Sequence, residues 1–323
     1  MGDWPDNMKA SRASDWSGVA ALALLMTAPS LLPGQLGWLQ GLVPMALCYY
    51  LVSLGETRAT SLIVMATLLA GLVATVVGTL PAFVFTCTML PVGMLLGREY
   101  RRGRAPTRTG LQAILLLVLL WAGFWAVYGA LSQTNPYRET LDALDKSLSA
   151  TAAFYQKDAG LALDTKAEIE STIAMLRDGI QQVVPALLLV TVIVTVWMNL
   201  LLSHWLISRF HPSQSTWPPF RDWRLPEQLI WPLIGGGIAM LLPVASMSTV
   251  GLNLLLVCGA LYFFQGLAVL AKLFTKWSVP RPMRAFLYAI ALLQGTGFVA
   301  LAALGVADIW ANFGTPRPHD DPS

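Results

Sequence analysis

The sequence has few charged residues for its length, and those it has are unevenly distributed. Charged side chains make up 12% of the 323 residues, against 55% hydrophobic ones. Between residues 17 and 132 the only charged residues are Glu56, Arg58 and a cluster from Arg98 to Arg108. This distribution excludes an ordinary soluble protein, whose surface carries charge throughout. Long apolar runs separated by short polar breaks are typical of consecutive membrane-spanning helices.

Cysteine and histidine are scarce, with three of each. Cys48, Cys87 and Cys258 fall in separate apolar runs, without the CxxC or Cys/His spacing of a metal site or redox pair. The sequence also lacks HExxH, GxSxG, GxGxxG and Walker-type motifs. We therefore expect no catalytic residues, no metal ligands and no cofactor, and a protein that is not an enzyme.

Paired carboxylates are missing from the apolar runs as well. A charge at the centre of a span costs about 2.5 to 3.5 kcal/mol on insertion scales, so carboxylates kept there usually have a function. Their absence argues against ion-coupled transport.

The apolar runs predict an all-α integral membrane protein, a polytopic bundle of about nine transmembrane helices. We expect roughly 17 to 25 apolar residues per span. The spans are predicted at about 17–33, 37–54, 59–78, 80–97, 110–132, 180–208, 228–247, 250–274 and 284–308. The first run has the length of a signal-peptide core, but the acidic residues before it favour a true span.

The positions of the basic residues predict the orientation, because cytoplasmic loops are enriched in lysine and arginine. With a cytoplasmic N-terminus, fifteen of the 21 basic residues lie on the cytoplasmic side. The short outer turns near residues 34, 79 and 249 contain none. An odd number of spans then places the C-terminus outside the cell membrane.

Four regions follow from this pattern: an N-terminal membrane region (1–132), an extracytoplasmic segment (133–179), a C-terminal membrane region (180–314) and a disordered tail (315–323). Two apolar stripes in and after the segment predict a helical hairpin between the fifth and sixth spans, at Leu141, Leu144, Leu148 and at Ile169, Ile173, Leu176, Ile180, Val183. Its second helix is expected to continue into the membrane, from about 166 to 208. The hairpin either covers its own membrane region or serves as a lid or docking arm.

Small residues recur every four positions in the third predicted span, at Ala66, Ala70, Ala74 and Gly78. In lipid, small side chains let helix backbones approach closely, which is a main source of helix association. Packing within the bundle is the simpler interpretation of this face, and docking of another subunit is the alternative.

Polar side chains are few within the apolar runs, and four are candidate ligand-binding or polar-core residues: Asn199, Asn253, Gln265 and Gln294. An amide in a span more often makes an interhelical hydrogen bond than binds a ligand. Convergence of the first three on one pocket would favour ligand binding, whereas scattered positions would favour a scaffold. Asp308, at the end of the last run, is expected at the membrane interface.

The stretch WRLPEQLIWPL (223–233) joins a polar segment to an apolar run. Pro226 suits the first position of a helix, where its missing N–H costs nothing, and Glu227 in the first turn complements the helix dipole. Trp223 and Trp231 are expected to anchor the helix at the membrane interface. We interpret the stretch as the start of a helix and not as an active site.

The run REYRRGR (98–104) is the strongest basic cluster. Beside a span, such a cluster usually sets topology and touches lipid headgroups. It lacks interleaved aromatic residues and a fold to present it to nucleic acid, so we do not expect a nucleic-acid partner.

Three stretches, WRLPEQLIWPL (223–233), NLLLVCGALYFFQGLAVLAKLF (253–274) and LGVADIWANF (304–313), resemble the YybS-like family of bacterial multispan membrane proteins, a domain of unknown function. That family is similar in fold to the substrate-binding (S) subunits of energy-coupling factor transporters. The resemblance implies a bacterial inner-membrane protein whose helical core could hold a small ligand. The nine expected spans and the 133–179 segment depart from the six-helix S subunits.

The leading hypothesis is a non-enzymatic membrane protein that binds a small solute or a membrane partner through an S-subunit-like, transporter-like core. The alternative is a membrane scaffold or assembly protein that binds its partner with the extracytoplasmic helical segment. Under both hypotheses the lipid bilayer is the surrounding partner.

Overall fold

The computed structural model describes residues 4–157 and 162–311, and every regular element within them is helical. This confirms the predicted all-α class. The predicted tail, 315–323, lies outside the described residues.

Thirteen α-helices follow one another along the described chain: α1 (Trp4–Leu31), α2 (Pro33–Leu36), α3 (Val43–Ser53), α4 (Glu56–Val77), α5 (Leu80–Cys87), α6 (Leu90–Arg101), α7 (Pro106–Ser132), α8 (Pro136–Lys157), α9 (Leu163–Phe210), α10 (Ile230–Leu241), α11 (Ala245–Lys276), α12 (Arg281–Leu293) and α13 (Gly295–Ala311). Short 3₁₀ turns occupy Gly37–Leu42, Pro212–Gln214, Phe220–Asp222 and Glu227–Leu229. Prolines at the first or second position begin several of these helices, where a missing N–H costs nothing.

Six helical stretches of the described chain are long and apolar enough to cross a membrane: Pro33–Ser53, Glu56–Val77, Leu80–Arg101, Pro106–Ser132, Gly179–Phe210 and Ala245–Lys276. Helices α12 and α13 add a seventh if this bent pair is one span. The protein is therefore multi-pass, with fewer full-length spans than the nine predicted from hydropathy.

Two of the predicted spans correspond to short apolar helical stretches in the structure. The apolar part of the first, Trp16–Leu31, ends where Leu32 leaves helical geometry ahead of Pro33. The seventh, predicted at 228–247, contains only the 12 residues of α10. Its apolar run is interrupted because Glu227–Leu229 forms a 3₁₀ turn and Leu242 is extended before Pro243.

Glycines bring α6 into close contact with α3. A Cβ added at Gly93 would lie 2.7 Å from the Leu47 Cβ, and one added at Gly97 would lie 2.7 Å from the Leu51 Cδ1. These distances are too short for any larger residue, so the two glycines set the separation of the helices.

Helix α11 packs against both α10 and α13, and each contact is made at a glycine of α11. Near its start, Gly251 touches the backbone of Met240 in α10. Further along, a Cβ added at Gly266 would lie 1.8 Å from the carbonyl oxygen of Leu301 in α13. Close backbone contact on both sides fixes α10 and α13 against α11.

Helix α9 is the longest element, with 48 residues. At 1.5 Å per residue it is about 72 Å long, well beyond the thickness of a bilayer. The expectation that one helix runs from the 133–179 segment into the sixth predicted span is confirmed. Helix α8 contacts its first part, where Arg177 pairs with Asp145 at 2.5 Å and donates to Ser149 at 2.8 Å.

The small-residue face of α4 is buried within the molecule. Ala66, Ala70 and Ala74 are fully buried in the contact between α4 and α1. Gly78 ends α4 in the left-handed conformation, with φ of +79°, where a glycine is favoured.

Candidate functional site

The segment from 211 to 229 connects α9 to α10 through short 3₁₀ turns, and two of its tryptophans are buried against the helices. Its Trp217 and Trp223 are 4% and 3% exposed. Trp217 packs on Tyr100 of α6 with ring centroids 4.4 Å apart, and Trp223 packs on Trp197 of α9 at 5.9 Å. Irregular backbone at such a position needs partners from the surrounding protein.

One of these partners is Gln265 of α11. Its Oε1 accepts a hydrogen bond from the backbone N–H of Leu225 at 3.0 Å, and its Nε2 donates to Oδ2 of Asp308 at 3.0 Å. Gln265 is 8% exposed and Asp308 is 6% exposed. One amide therefore joins the 211–229 segment, α11 and α13.

This meeting point encloses a small polar cavity. Its volume is about 50 Å³ and it is lined by Arg224, Leu225, Pro226, Glu227, Tyr262, Gln265, Asp308 and Ile309. A water molecule needs about 10 to 15 Å³ of such space, so the cavity has room for about three to five water-sized groups. The candidate site is this cavity, which we call the Gln265 cavity.

Tyr262 supplies a hydrogen-bonding group that the protein itself leaves unused. The residue is 1% exposed, and its hydroxyl oxygen is buried with no hydrogen-bond partner among the described residues. An unsatisfied buried hydroxyl costs about 1 to 3 kcal/mol, so a group that bonds to it is favoured. The hydroxyl can donate to or accept from a bound molecule.

Charged groups of both signs line the Gln265 cavity. Asp308 contributes a buried carboxylate, and the exposed Arg224 and Glu227 lie at the edge of the segment. Arg224 and Asp308 each have further interaction partners. The lining of the cavity therefore includes an amide and charged side chains, which is chemistry for binding a small polar molecule.

Asp308 is buried inside the protein, because α13 packs so closely on α11 that the carboxylate reaches Gln265. The expected position of Asp308 at the membrane interface stays a prediction. The sequence shows both residues but not the register between their helices.

Asn253 lies away from the cavity and bonds to the backbone of α9. Its Oδ1 accepts from the N–H of Ala186 at 2.8 Å, and its Nδ2 donates to the carbonyl of Gln182 at 2.7 Å. These two backbone groups are the pair that an uninterrupted helix would join to each other. Pro185, inside α9, disturbs the helix at this place, and Asn253 satisfies both groups.

Asn199 makes the same contacts with the start of α3. Its Oδ1 accepts from the N–H of Met45 at 2.6 Å, and its Nδ2 donates to the carbonyl of Gly41 at 2.5 Å. Pro44 directly precedes the donor Met45, just as Pro185 directly precedes the donor Ala186. The Asn199 amide therefore also bonds to backbone groups, where the 3₁₀ turn Gly37–Leu42 meets α3.

A sequence repeat accompanies these two asparagines. The octapeptides TVWMNLLL (195–202) and TVGLNLLL (249–256) share six residues, and each asparagine also donates to the carbonyl of the threonine four residues before it. The repeat, together with a Val-Pro pair at 43–44 and at 184–185, is the signal by which the shared role could have been recognised.

The remaining predicted positions are separate from these contacts. Gln294 is exposed and lies in the break between α12 and α13. The four amides thus do not share one pocket: Gln265 lines the Gln265 cavity, and Asn199 and Asn253 serve helix backbones.

The WRLPEQLIWPL stretch combines two environments. Pro226 precedes the 3₁₀ turn that begins with Glu227 and leads into α10, and Trp231 is 70% exposed on that helix. Trp223, by contrast, is buried among aromatic rings, including that of Trp217 in the preceding part of the segment. Its Nε1 donates to the carbonyl of Pro218 at 2.8 Å.

A second polar cluster, which sequence reasoning did not identify, joins α6, α9 and the 211–229 segment. The Tyr100 hydroxyl lies 3.2 Å from Nδ1 of His204 and 3.2 Å from the hydroxyl of Ser215. Ser208 lies 3.1 Å from Ser215. These bonds hold the first part of the segment, as Gln265 holds its end. Within the described residues, no group of three or more His, Cys, Asp or Glu side chains is placed to hold a metal.

Comparison with curated proteins and with solved structures finds no match. A family model described as "Predicted membrane protein (DUF2232)" matches residues 20–309, which include every helix that forms the Gln265 cavity. This match covers most of the chain and agrees with its multi-pass helical structure. The chain belongs to the DUF2232 family of membrane proteins.

Proposed function

We propose that the protein is a non-catalytic binding protein of the cell membrane, with the Gln265 cavity as its binding site. The observation that carries the proposal is Tyr262, a residue that lines the cavity and whose buried hydroxyl has no hydrogen-bond partner among the described residues. Gln265 and Asp308 place an amide and a carboxylate beside it.

The size of the cavity defines the ligand class. A volume of about 50 Å³ suits a solute of a few non-hydrogen atoms, or the polar end of a larger molecule. The small volume therefore narrows the class of ligand that the S-subunit resemblance implies. The YybS-like, transporter-like character of the core remains part of this proposal.

Thermal unfolding of the purified protein in detergent tests the proposal. The probes are ammonium, guanidinium, potassium and formate, each titrated at constant ionic strength. A ligand that binds only the folded state stabilises it by about 2.7 kcal/mol at one hundred times its Kd. We expect one probe to raise the Tm saturably in the wild type and in Tyr155→Phe, and this shift to be lost in Tyr262→Phe.

Tyr155→Phe is the matched control because it removes the same hydroxyl from a half-exposed residue in α8. If none of the probes shifts the Tm saturably, or if Tyr262→Phe retains the full shift, the cavity is not the binding site for this class of ligand.

A scaffold role is the second candidate, and one observation favours it. Phe154 and Leu163, at the facing ends of α8 and α9, are 69% and 83% exposed. The first 16 residues of α9, 163–178, precede its apolar part and extend about 24 Å at helical rise. We propose that the two helices form an extracytoplasmic hairpin whose apolar tip contacts a partner protein. The use of Asn199 and Asn253 by backbone also fits a solid core.

Photo-crosslinking in the native host distinguishes this role. A benzoylphenylalanine at position 154 should give a discrete protein adduct, and one at Glu139, near the start of α8, should not. Adducts with lipid alone, or equal adducts at both positions, would exclude partner binding at the tip.

The orientation is also part of this proposal. The basic residues support a cytoplasmic N-terminus and an extracytoplasmic C-terminus. Labelling of single cysteines placed at Thr151 and at Thr57 with a membrane-impermeant maleimide on whole cells tests it: the first should react and the second should not.

A further inference from the structure

Helix α12 follows directly on the end of α11. The last part of α11 contains Lys272 and Lys276, and Trp277, 62% exposed, comes next. Lysines and tryptophans at the end of a span are typical of the membrane–water interface. The turn that follows, with Ser278 at φ of +52°, leads into α12 at Arg281. Helix α12 therefore begins at the level of the interface.

The direction of α12 follows from its bend against α13. Gly266 of α11 contacts Leu301 of α13, and Tyr262 contacts Gly305, so the two helices run antiparallel. Helix α12 is bent by 107° from α13. It must then lie roughly perpendicular to α11, along the membrane surface and not across it. Phe274 and Tyr288 hold it there through ring contact at 5.2 Å.

One face of α12 is apolar and uncovered by protein. Met283, Phe286, Ile290 and Leu293 recur at helical spacing and are 54%, 64%, 38% and 85% exposed. Such a face on a helix in the membrane plane enters the boundary between headgroups and acyl chains.

The charges around α12 are of one sign. Lys272, Lys276, Arg281 and Arg284 surround its start, and the sequence contains no acidic residue between Glu227 and Asp308. Arg284 also donates to the carbonyl of Val279 at 2.7 Å, which fixes the turn. Basic residues beside an apolar face are complementary to anionic phospholipids.

We propose that α12 is an interfacial helix that binds anionic phospholipid headgroups, with its apolar face in the upper acyl region. Lys272, Lys276 and Arg281 supply the charge contacts, while Arg284 mainly holds the turn. The predicted ninth span, 284–308, is then a surface helix followed by α13. This inference is independent of the Gln265 cavity.

Depth-dependent fluorescence quenching tests the position of α12. A bimane label is attached at Met283→Cys in full-length protein whose three native cysteines are replaced by alanine, reconstituted in phosphatidylcholine nanodiscs. We expect lipids with a doxyl group at carbon 5 to quench it more strongly than lipids with the group at carbon 12. The same label at Leu68→Cys, on the exposed face near the middle of α4, is the control and should show the reverse order.

The headgroup preference is measured on the same sample. At equal mole fraction, 5-doxyl phosphatidylglycerol should quench the Met283→Cys label more than 5-doxyl phosphatidylcholine. A basic residue near an anionic surface contributes about 1 kcal/mol, about a fivefold change in lipid partition. Lys276→Gln should therefore reduce the preference by up to about fivefold, and combined substitution of Lys272, Lys276 and Arg281 by glutamine should abolish it without changing depth.

Three results would overturn the proposal. Stronger quenching from carbon 12 at Met283→Cys would mean that α12 crosses the membrane. Quenching by aqueous iodide without doxyl quenching would place its apolar face away from lipid. Equal quenching by the two headgroup classes in the wild-type charge background would remove the anionic-lipid assignment.

Discussion

The side-chain amide of Asn253 bonds to the backbone N–H of Ala186, the residue after Pro185, at 2.8 Å. The same amide bonds to the carbonyl of Gln182. Asn199 repeats the arrangement at Pro44, so two proline-containing helix segments each receive two hydrogen bonds from an asparagine of another helix. In both cases, a side-chain amide bonds to the backbone beside a proline, and backbone groups within a membrane need such partners.

Replacing Asn253 by leucine should lower the free energy of unfolding by about 1 to 3 kcal/mol, because it removes two hydrogen bonds to the backbone of α9, one of them part-buried. Asn253→Asp should also destabilise, since a carboxylate cannot donate to Gln182. Thermal unfolding in detergent measures both. Gln181→Leu is the control: it removes an exposed amide next to Gln182 on α9 and should change the free energy of unfolding little.

Hydrogen exchange gives a local measurement of the same change. In Asn253→Leu, the amide of Ala186 should exchange faster, while amides in α4 should exchange as in the wild type. Unchanged exchange at Ala186 would show that this hydrogen bond does not protect the helix.

Asn199→Leu and Asn253→Leu should lower the free energy of unfolding additively. Asn199 lies 13 residues beyond Ala186 on α9, about 20 Å along the helix. Sites this far apart usually add to within about 0.5 kcal/mol. A double variant whose loss differs from the sum by more than about 1 kcal/mol would mean that the two contacts act as one unit.

Gly266→Ala should separate α11 from α13. An added Cβ would lie 1.8 Å from the Leu301 carbonyl oxygen, and overpacking of this kind costs about 1 to 3 kcal/mol or more. Gly259→Ala is the matched control on the same helix, because a Cβ there has no non-local atom within 4 Å. It should be neutral or stabilise by up to about 1 kcal/mol through helix propensity.

The measurement is the Tm of each glycine variant in detergent, with a cysteine at Ile309 labelled to report access to the Gln265 cavity. Faster labelling is expected in Gly266→Ala alone. Equal Tm values and labelling rates for the two variants would contradict the close crossing.

The ion pair between Arg177 and Asp145 should contribute little to stability. Both side chains are about half exposed, at 44% and 52%, and exposed pairs typically contribute about 0 to 1 kcal/mol. A double-mutant cycle with Arg177→Ala and Asp145→Ala measures the coupling by protease resistance of the segment formed by α8 and the start of α9. A coupling above about 2 kcal/mol would show that this contact is not an ordinary surface pair.

Local patterns predicted local structure well. Hydropathy identified an all-helical membrane protein, and the apolar stripe before residue 180 indicated that α9 continues into the membrane without a break. Both conclusions depend on residues near one another in sequence, where helical periodicity is a direct physical signal. The number of full spans was less predictable, because an apolar run such as 228–247 does not show where its backbone leaves the helix.

The candidate site depends on register between distant helices, which one sequence does not show. Gln265 and Asp308 were both recognised as polar residues in apolar runs, but their contact requires Gly266 and Gly305 to bring α11 and α13 together. For Asn199 and Asn253 the residue type suggested a polar core, but their partners are backbone groups. Because every residue has a backbone donor or acceptor, the sequence does not show which ones these asparagines reach.

The 211–229 segment also has a consequence for biosynthesis. Tyr100, which contacts its first part, is synthesised before the segment, but Gln265, which binds Leu225, is synthesised some forty residues after it. In a chain stopped before α11, Trp217 and Trp223 would keep Tyr100 and Trp197 as packing partners, but the N–H of Leu225 would lack Gln265. The segment is therefore completed in two steps, first at its start and then at its end.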